Sequence, residues 1–391
     1  MTVKHKDISL RNVEYYCMFE SYDKLYAQSM NDIIFDDLML LITSQENIRL
    51  AYRSIKNNNG SLTCGVDKKT INYIKNMKLE DFINLIQNKF KNYQPQEIRR
   101  IYITKSNGKM RPLGIPTIID RIMQQCIKQV LEPIVEAKFH KNSNGFRPYK
   151  SCESAISKFS NYVYRNKCYY VVDIDIKGFF DNVNHGKLLK QLWTLKIRDK
   201  QLLTIISLMF KANIDKEGIP DKGTPQGGIL SPLLANVVLN ELDWWLSNQW
   251  MTYKSKRPFK QYVRNNGTIC SNERNWLRKN IKLKEFYFTR YADDFKIICK
   301  SYSDAVKLKI ATINWLKERL SLEVSEEKTK IVNLKKNYSE FLGFKIKVKK
   351  KKKDERYTII SHMSDKAKER SKCNIKENLK KLGNPTQTKK L

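Results

Sequence analysis

Residues 286–299 read Phe-Tyr-Phe-Thr-Arg-Tyr-Ala-Asp-Asp-Phe-Lys-Ile-Ile-Cys. Two runs rich in aromatic and β-branched residues flank the adjacent acids Asp293 and Asp294, which predicts a strand, a tight turn and a second strand. An Asp in a turn often does no more than satisfy local backbone groups. A second stretch raises the stakes. Tyr169-Tyr-Val-Val-Asp-Ile-Asp-Ile176 is an apolar run carrying Asp173 and Asp175, and their spacing of two puts both on one face of a strand. Carboxylates are costly to bury unpaired, so an acidic strand end beside an acidic hairpin calls for a cation. Two hard divalent ions held by shared carboxylates are what phosphoryl transfer at a nucleic-acid 3′ end uses, one activating the attacking oxygen and one steadying the leaving phosphate.

Elements must position those acids. Gln45–Ile55 repeats apolar residues at helical spacing, Asp32–Ile42 reads as a second amphipathic to apolar helix, and residues 1–60 are expected to be mostly helical. Ile101-Tyr-Ile-Thr and Met110-Arg-Pro-Leu flank Ser106-Asn-Gly108, a hairpin signal. Thr117 is placed to cap a helix running to about Lys138, and Ser151 another. Arg147 is either a nucleic-acid contact or a structural arginine. Gly223–Leu246 is a loop followed by a helix, with Ser231 as cap and Leu234, Val238, Leu242 and Trp245 as its buried stripe. Gly227-Gly228 allows close backbone approach to a base pair, and Gln226 can hydrogen-bond there. Ser303–Leu320 reads as a helix. A last basic helix runs from a Ser364 cap to Leu382, with Ile375 and Leu379 on its apolar face.

The formal net charge is +34, an excess that points to a polyanionic partner. It is unevenly spread: residues 169–246 are balanced at nine basic and nine acidic, residues 247–285 carry ten basic and two acidic, and residues 341–391 carry 17 basic and five acidic. A metal-binding floor framed by phosphate-gripping walls would be distributed in this way. Within the last segment, the lysine run at Lys347 and Lys349–Lys353 is either a solvated loop or a phosphate contact. The eight cysteines include no Cys-x-x-Cys pair and only four histidines are present, so zinc is not expected and a reducing compartment is. No apolar run approaches the roughly 20 residues a membrane helix needs, and Met1–Leu10 has no secretory core.

Tyr291-Ala-Asp-Asp294 in a hairpin, with Asp175 five residues before Phe180, resembles the palm of a reverse transcriptase. Thr224-Pro-Gln-Gly-Gly-Ile-Leu-Ser-Pro-Leu-Leu-Ala-Asn236 is similar to the group II intron maturase type, and the likeness continues in order from about Asn47 to Leu382. The resemblance implies an α+β right-hand polymerase: a helical N-terminal extension (1–60), fingers (61–160), a palm (161–345) with a basic insertion (247–285), and the start of a helical thumb or maturase domain (346–391). It implies an RNA-directed DNA polymerase using two Mg²⁺ ions held by Asp175, Asp293 and Asp294, with Asp173 behind them. Lys105, Arg111 and Gln226 would position the nucleotide, and Lys328 would protonate or neutralise the departing pyrophosphate unless it is merely a surface lysine. One of Phe179 and Phe180, the latter by its distance from Asp175, would block a ribose 2′-hydroxyl. Phe341-Leu-Gly-Phe344 would grip the primer. The expected partners are an RNA template, intron RNA, a DNA or RNA primer and deoxynucleoside triphosphates, with no membrane, in the bacterial cytoplasm. The family's thumb has further helices, so this stretch is expected to hold only its first, and no endonuclease segment is seen. Two other readings stay open: an RNA-binding splicing factor whose palm is a scaffold, and a reverse transcriptase domesticated for defence.

Overall fold

The computed structural model describes residues 16–104, 108, 110–224, 227–263, 265, 267, 269–351 and 356–382. The fold is mixed α+β with antiparallel sheets, and it divides into two compact units that interleave along the chain.

The first unit comprises the chain through Pro148, Ile176–Asp243 and Trp315–Glu323. Its centre is the helix Ile118–Glu136, opened by the Thr117 side chain, which accepts from the Asp120 amide. Ile118, Ile122, Met123, Cys126, Ile127, Val130, Leu131 and Ile134 are all fully buried, more than one helical face, so this helix is enclosed by its neighbours. The helix Gln45–Lys56 packs on it, opened by Ser44. Asn47 on that helix is fully buried and saturated: its amide donates to the Ile42 and Cys126 carbonyls, and its oxygen accepts from Gln129 at 2.7 Å. The expected helix over Asp32–Ile42 shrinks to Met39–Ile42. Phe35 instead pairs with Ile197 as an isolated parallel bridge, a tertiary contact that overrides the helical spacing.

A two-stranded sheet, β1 (Arg99–Thr104) with β2 (Met110–Ile115), extends from this unit, with Thr104 opposite Met110 as the hairpin signal predicts. Arg100 makes a bidentate ion pair with Glu217, and the Tyr102 hydroxyl donates to the same carboxylate at 2.8 Å.

Asp120 is buried beneath these elements, accepting from Thr117 at 3.1 Å and Tyr93 at 3.3 Å. Burial pushes its carboxyl up to about 6, against the pull of those hydrogen bonds. A carboxyl whose folded pKa is raised favours the folded state at low pH and costs stability once ionised. That cost is on the order of 2–3 kcal/mol above about pH 6, vanishing below about pH 4. Asp120→Asn is therefore expected to raise the melting temperature at pH 7–8 and to flatten its pH dependence between 4 and 6. Melting curves across that range check this; an equal or lower melting temperature at pH 8 contradicts it.

The second unit comprises Tyr149–Asp175, Trp244–Asn314 and the chain from Val324. Its main sheet has the order β6-β7-β3-β8, all antiparallel: β6 (Phe286–Tyr291), β7 (Asp294–Cys299), β3 (Tyr170–Asp175) and β8 (Lys330–Asn333). One face packs against the helix Cys152–Asn166, with Phe159, Val163, Val171, Ile298 and Phe341 in a common core. A second sheet of order β11-β10-β9 holds β9 (Ser339–Phe341), β10 (Phe344–Lys350) and β11 (Tyr357–Met363). The basic insertion is partly ordered as a hairpin, β4 (Gln261–Val263) with β5 (Ile269–Ser271), followed by the helix Glu273–Asn280. The final helix, Asp365–Leu382, is capped by Ser364 as expected, and Ile375 and Leu379 on it are exposed.

Candidate active site

The acids of the second unit meet at one end of the main sheet. In the β3–β7 ladder Asp175 lies directly opposite Asp294, and Asp173 opposite Lys296. The turn falls one residue earlier than the sequence predicts. Ala292 and Asp293 form it, and Asp294 is the first residue of β7, paired with Tyr291. Ala292 adopts φ +56°, a left-handed conformation rarely taken by a residue with a Cβ. The fully buried Arg290 holds it there, its guanidinium donating to the Ala292 carbonyl at 2.8 Å.

Lysines balance the carboxylates. Lys296, buried inside β7, lies 3.1 Å from Asp173 and 3.7 Å from Asp294. Asp173 also accepts from Ser339 at 3.1 Å, so it is occupied behind the site rather than presented to it. Lys328 reaches Asp175 at 2.9 Å. Partial burial pushes the Asp294 carboxyl up to about 6; Lys296 pulls against this, while the charges of Asp173, Asp293 and Asp175 add to it.

Among the described residues no three acidic, histidine or cysteine side chains close around a common point able to hold a metal. The donor chemistry nevertheless fits one. Asp175, Asp293 and Asp294 offer hard carboxylate oxygens, the ligands Mg²⁺ takes, and the raised Asp294 marks negative charge that a cation would relieve. Binding would require Asp175 to exchange Lys328 for the ion.

A second group of sequence-predicted residues lies in the first unit. Phe179 and Phe180 lie in a one-turn helix, Phe179–Asn182. The two rings pack edge to face, 5.4 Å between centroids, and differ in exposure: Phe179 is buried and Phe180 is partly exposed. The loop at Gly223–Thr224 clasps this turn, the Thr224 amide donating to the Phe180 carbonyl and the Gly223 amide to the Val183 carbonyl, both at 2.7 Å. Gly227, at φ +113°, sits so close to β2 that an added Cβ would overlap the Gly114 carbonyl oxygen. The close approach read as room for a base pair is thus made, within the protein, to the strand that carries Arg111. Arg111 is exposed on β2 opposite Ile103. Lys105 and Gln226 lie outside the described residues. Arg147 is a structural arginine: buried, bidentate to Glu136 at 2.6 and 2.8 Å, and donating to the His140 and Ser143 carbonyls.

Residues 103–346 match the family described as reverse transcriptase (RNA-dependent DNA polymerase). The chain belongs to that family. This reverse transcriptase is 31% identical to protein YkfC of Escherichia coli K12 over 341 residues, 85% of this chain and 88% of that one. It is 32% identical over 357 residues to the group II intron-encoded protein LtrA of Lactococcus lactis subsp. cremoris, covering 83% of this chain and 59% of LtrA. It is 29% identical to the putative COX1/OXI3 intron 1 protein of Saccharomyces cerevisiae, covering 84% of this chain and 41% of the yeast protein. The chain thus spans well under two thirds of these intron-encoded relatives. Members of the family are RNA-directed DNA polymerases that use divalent metal, a nucleic-acid template and deoxynucleoside triphosphates. No described helix of this reverse transcriptase is long and apolar enough to cross a membrane, and its seven described cysteines are free.

Sequence reasoning missed Arg290 and Lys296. Each is the lone cation of its strand and is itself buried, and a charge in that setting signals a buried partner.

Proposed function

We propose that this chain copies RNA into DNA by two-metal nucleotidyl transfer, on a right-hand architecture of fingers, palm and the start of a thumb. The observation that carries the reading is the pairing of Asp175 with Asp294 at adjoining strand ends, beside the Asp293 turn. Bound there, two Mg²⁺ ions would lower the pKa of the primer 3′-hydroxyl and neutralise charge on the departing pyrophosphate. Asp175 and Asp293 take the larger share of the binding, and Asp294 the remainder. Lys296 and Ser339 keep Asp173 turned away from that task. Lys328, released from Asp175, becomes the cation facing the leaving group. Arg111 is assigned to the triphosphate through bidentate contact, with Lys105 as a point charge. Gln226 is assigned to the nucleotide as well, and Phe341-Leu-Gly-Phe344 to the primer end.

Phe180, the more exposed of the two rings, is assigned as the block against ribose. Phe180→Ala is expected to lower the preference for deoxy- over ribonucleotides by tenfold or more, roughly the 1.4 kcal/mol of one steric contact. Phe179→Ala, which removes a buried ring, is expected to lower stability without changing that preference. Incorporation efficiencies for matched nucleotide pairs measure both. Unchanged discrimination in the Phe180 variant contradicts the assignment.

The likeness to intron-encoded relatives supports a group II intron origin, with binding of intron RNA as a splicing maturase and a part in intron mobility. The basic composition fits such a partner. Splicing of the host intron's RNA at limiting Mg²⁺, with and without the protein, tests this; no gain in spliced product contradicts it.

A further inference from the structure

Of the lysine run at Lys347 and Lys349–Lys353, Lys347, Lys349 and Lys350 lie in a strand, Lys351 follows it, and Lys352 and Lys353 lie outside the described residues. Lys345, Lys347 and Lys349 lie on β10, and β10 is the middle strand of its sheet. β9 pairs only with Phe344–Ile346, so from Lys347 onward β10 has the β11 ladder on one side and, on the other, the Val348 amide donating to the Leu334 carbonyl. Alternation is strict here: Ile346 and Val348 are buried in the core, which sends Lys345, Lys347 and Lys349 to the opposite face. Their register partners on β11 are His362, Ile360 and Thr358, none of them acidic. Lys345 is balanced by Asp365 at 2.6 Å and lies opposite Glu340 on β9. Among the described residues no ion pair joins Lys347 or Lys349 to an acid.

An aromatic pair borders this row. Tyr338 and His362 share a hydrogen bond at 2.9 Å, their ring centroids 5.1 Å apart, and both side chains are exposed. Lys347 lies 5.4 Å from the centre of the Tyr338 ring. Like charges repeated along one strand repel one another unless a polyanion neutralises them. Side chains that present cations in a row beside an open ring suit a strand whose phosphates repeat and whose bases are unpaired.

We propose that this face of the β9–β11 sheet binds a single-stranded RNA segment, its phosphates on Lys347 and Lys349 and a base on the Tyr338–His362 pair. The choice of RNA rests on the proposed polymerase reading; the geometry of the face does not. The surface is a holding site for RNA outside the carboxylate chemistry.

The test uses the full chain and a single-stranded uridine oligonucleotide as probe, with a pre-annealed, saturating RNA template–primer for activity. Lys347→Ser/Lys349→Ser is expected to weaken oligonucleotide binding about tenfold near 0.1 M salt and to reduce the salt slope by about 1.4, two contacts on a single strand. Tyr338→Ala is expected to cost roughly another tenfold, while Tyr338→Phe keeps the stacking and the affinity. Extension from the saturated template–primer should be unchanged in all three, and Lys347→Arg/Lys349→Arg should bind as the parent does. Unaltered affinity and slope in the serine variant overturn the proposal. So does polyglutamate competing as well as RNA of equal charge, which would mean an acidic protein is the better fit. A fall in saturated extension that parallels the fall in binding also overturns it, because the face would then belong to the polymerase track. A parent chain that binds as described but makes no DNA defeats the polymerase reading and leaves this one standing.

Discussion

Asp293→Asn is expected to reduce DNA synthesis by at least about 10²–10³-fold while changing RNA affinity less than about twofold. The first figure is the order of magnitude lost when one well-placed electrostatic group is removed from an active site, and it exceeds the roughly 10–100-fold cost of disturbing a group behind a metal ligand. The substitution keeps the size of the side chain and removes only its charge. The β6–β7 register is made by backbone pairing, so the hairpin is expected to keep its shape. Binding survives because the carboxylate repels phosphate rather than holding it. Single-turnover extension with an annealed primer and a separate binding titration distinguish the two effects. Comparable extension rates would remove Asp293 from the chemistry.

Gly227→Ala is expected to lower the efficiency of nucleotide incorporation about 100-fold, although no atom of Gly227 need touch the nucleotide. Two costs coincide at this residue. A Cβ at φ +113° is strained by roughly 1–3 kcal/mol, and it would also overlap the Gly114 carbonyl oxygen, part of a backbone held in the β1–β2 ladder. Either the loop or β2 must shift. The same loop clasps the Phe180 turn through Thr224 and Gly223, and β2 carries Arg111. A displacement of about 1 Å in such a frame costs on the order of 10²-fold in rate. Steady-state incorporation against nucleotide concentration should show the loss, with circular dichroism close to that of the parent. Full efficiency in a folded variant would mean that the loop and β2 are not coupled.

The parts of this molecule legible in the sequence are those that local patterning dictates. The β6–β7 hairpin follows from alternating aromatic and β-branched residues, and the helices opened by Thr117, Ser151 and Ser364 follow from their caps. What long-range contacts decide was less visible. The turn moves by one residue because Ala292 accepts a left-handed backbone, its carbonyl held by the buried Arg290. Phe35 leaves a helical pattern to pair with Ile197, 162 positions away in the chain. The lysines from Lys345 look like loop composition, and become a strand because Ile346 and Val348 are needed in the core. The acids Asp175, Asp293 and Asp294 stood out by spacing and family likeness alike. Lys296, which divides its charge between Asp173 and Asp294, is visible only once the strands are in register.

The central claim is that these carboxylates serve DNA synthesis on RNA. Its most direct test is extension of an annealed primer on an RNA template by the unaltered chain, with Mg²⁺, with excess chelator, and with Mg²⁺ restored. The account predicts deoxynucleotide incorporation that follows the RNA sequence, stops in chelator and returns with the metal. Extension that persists in chelator, or no extension at any Mg²⁺ concentration from a primer shown to be bound, would contradict it.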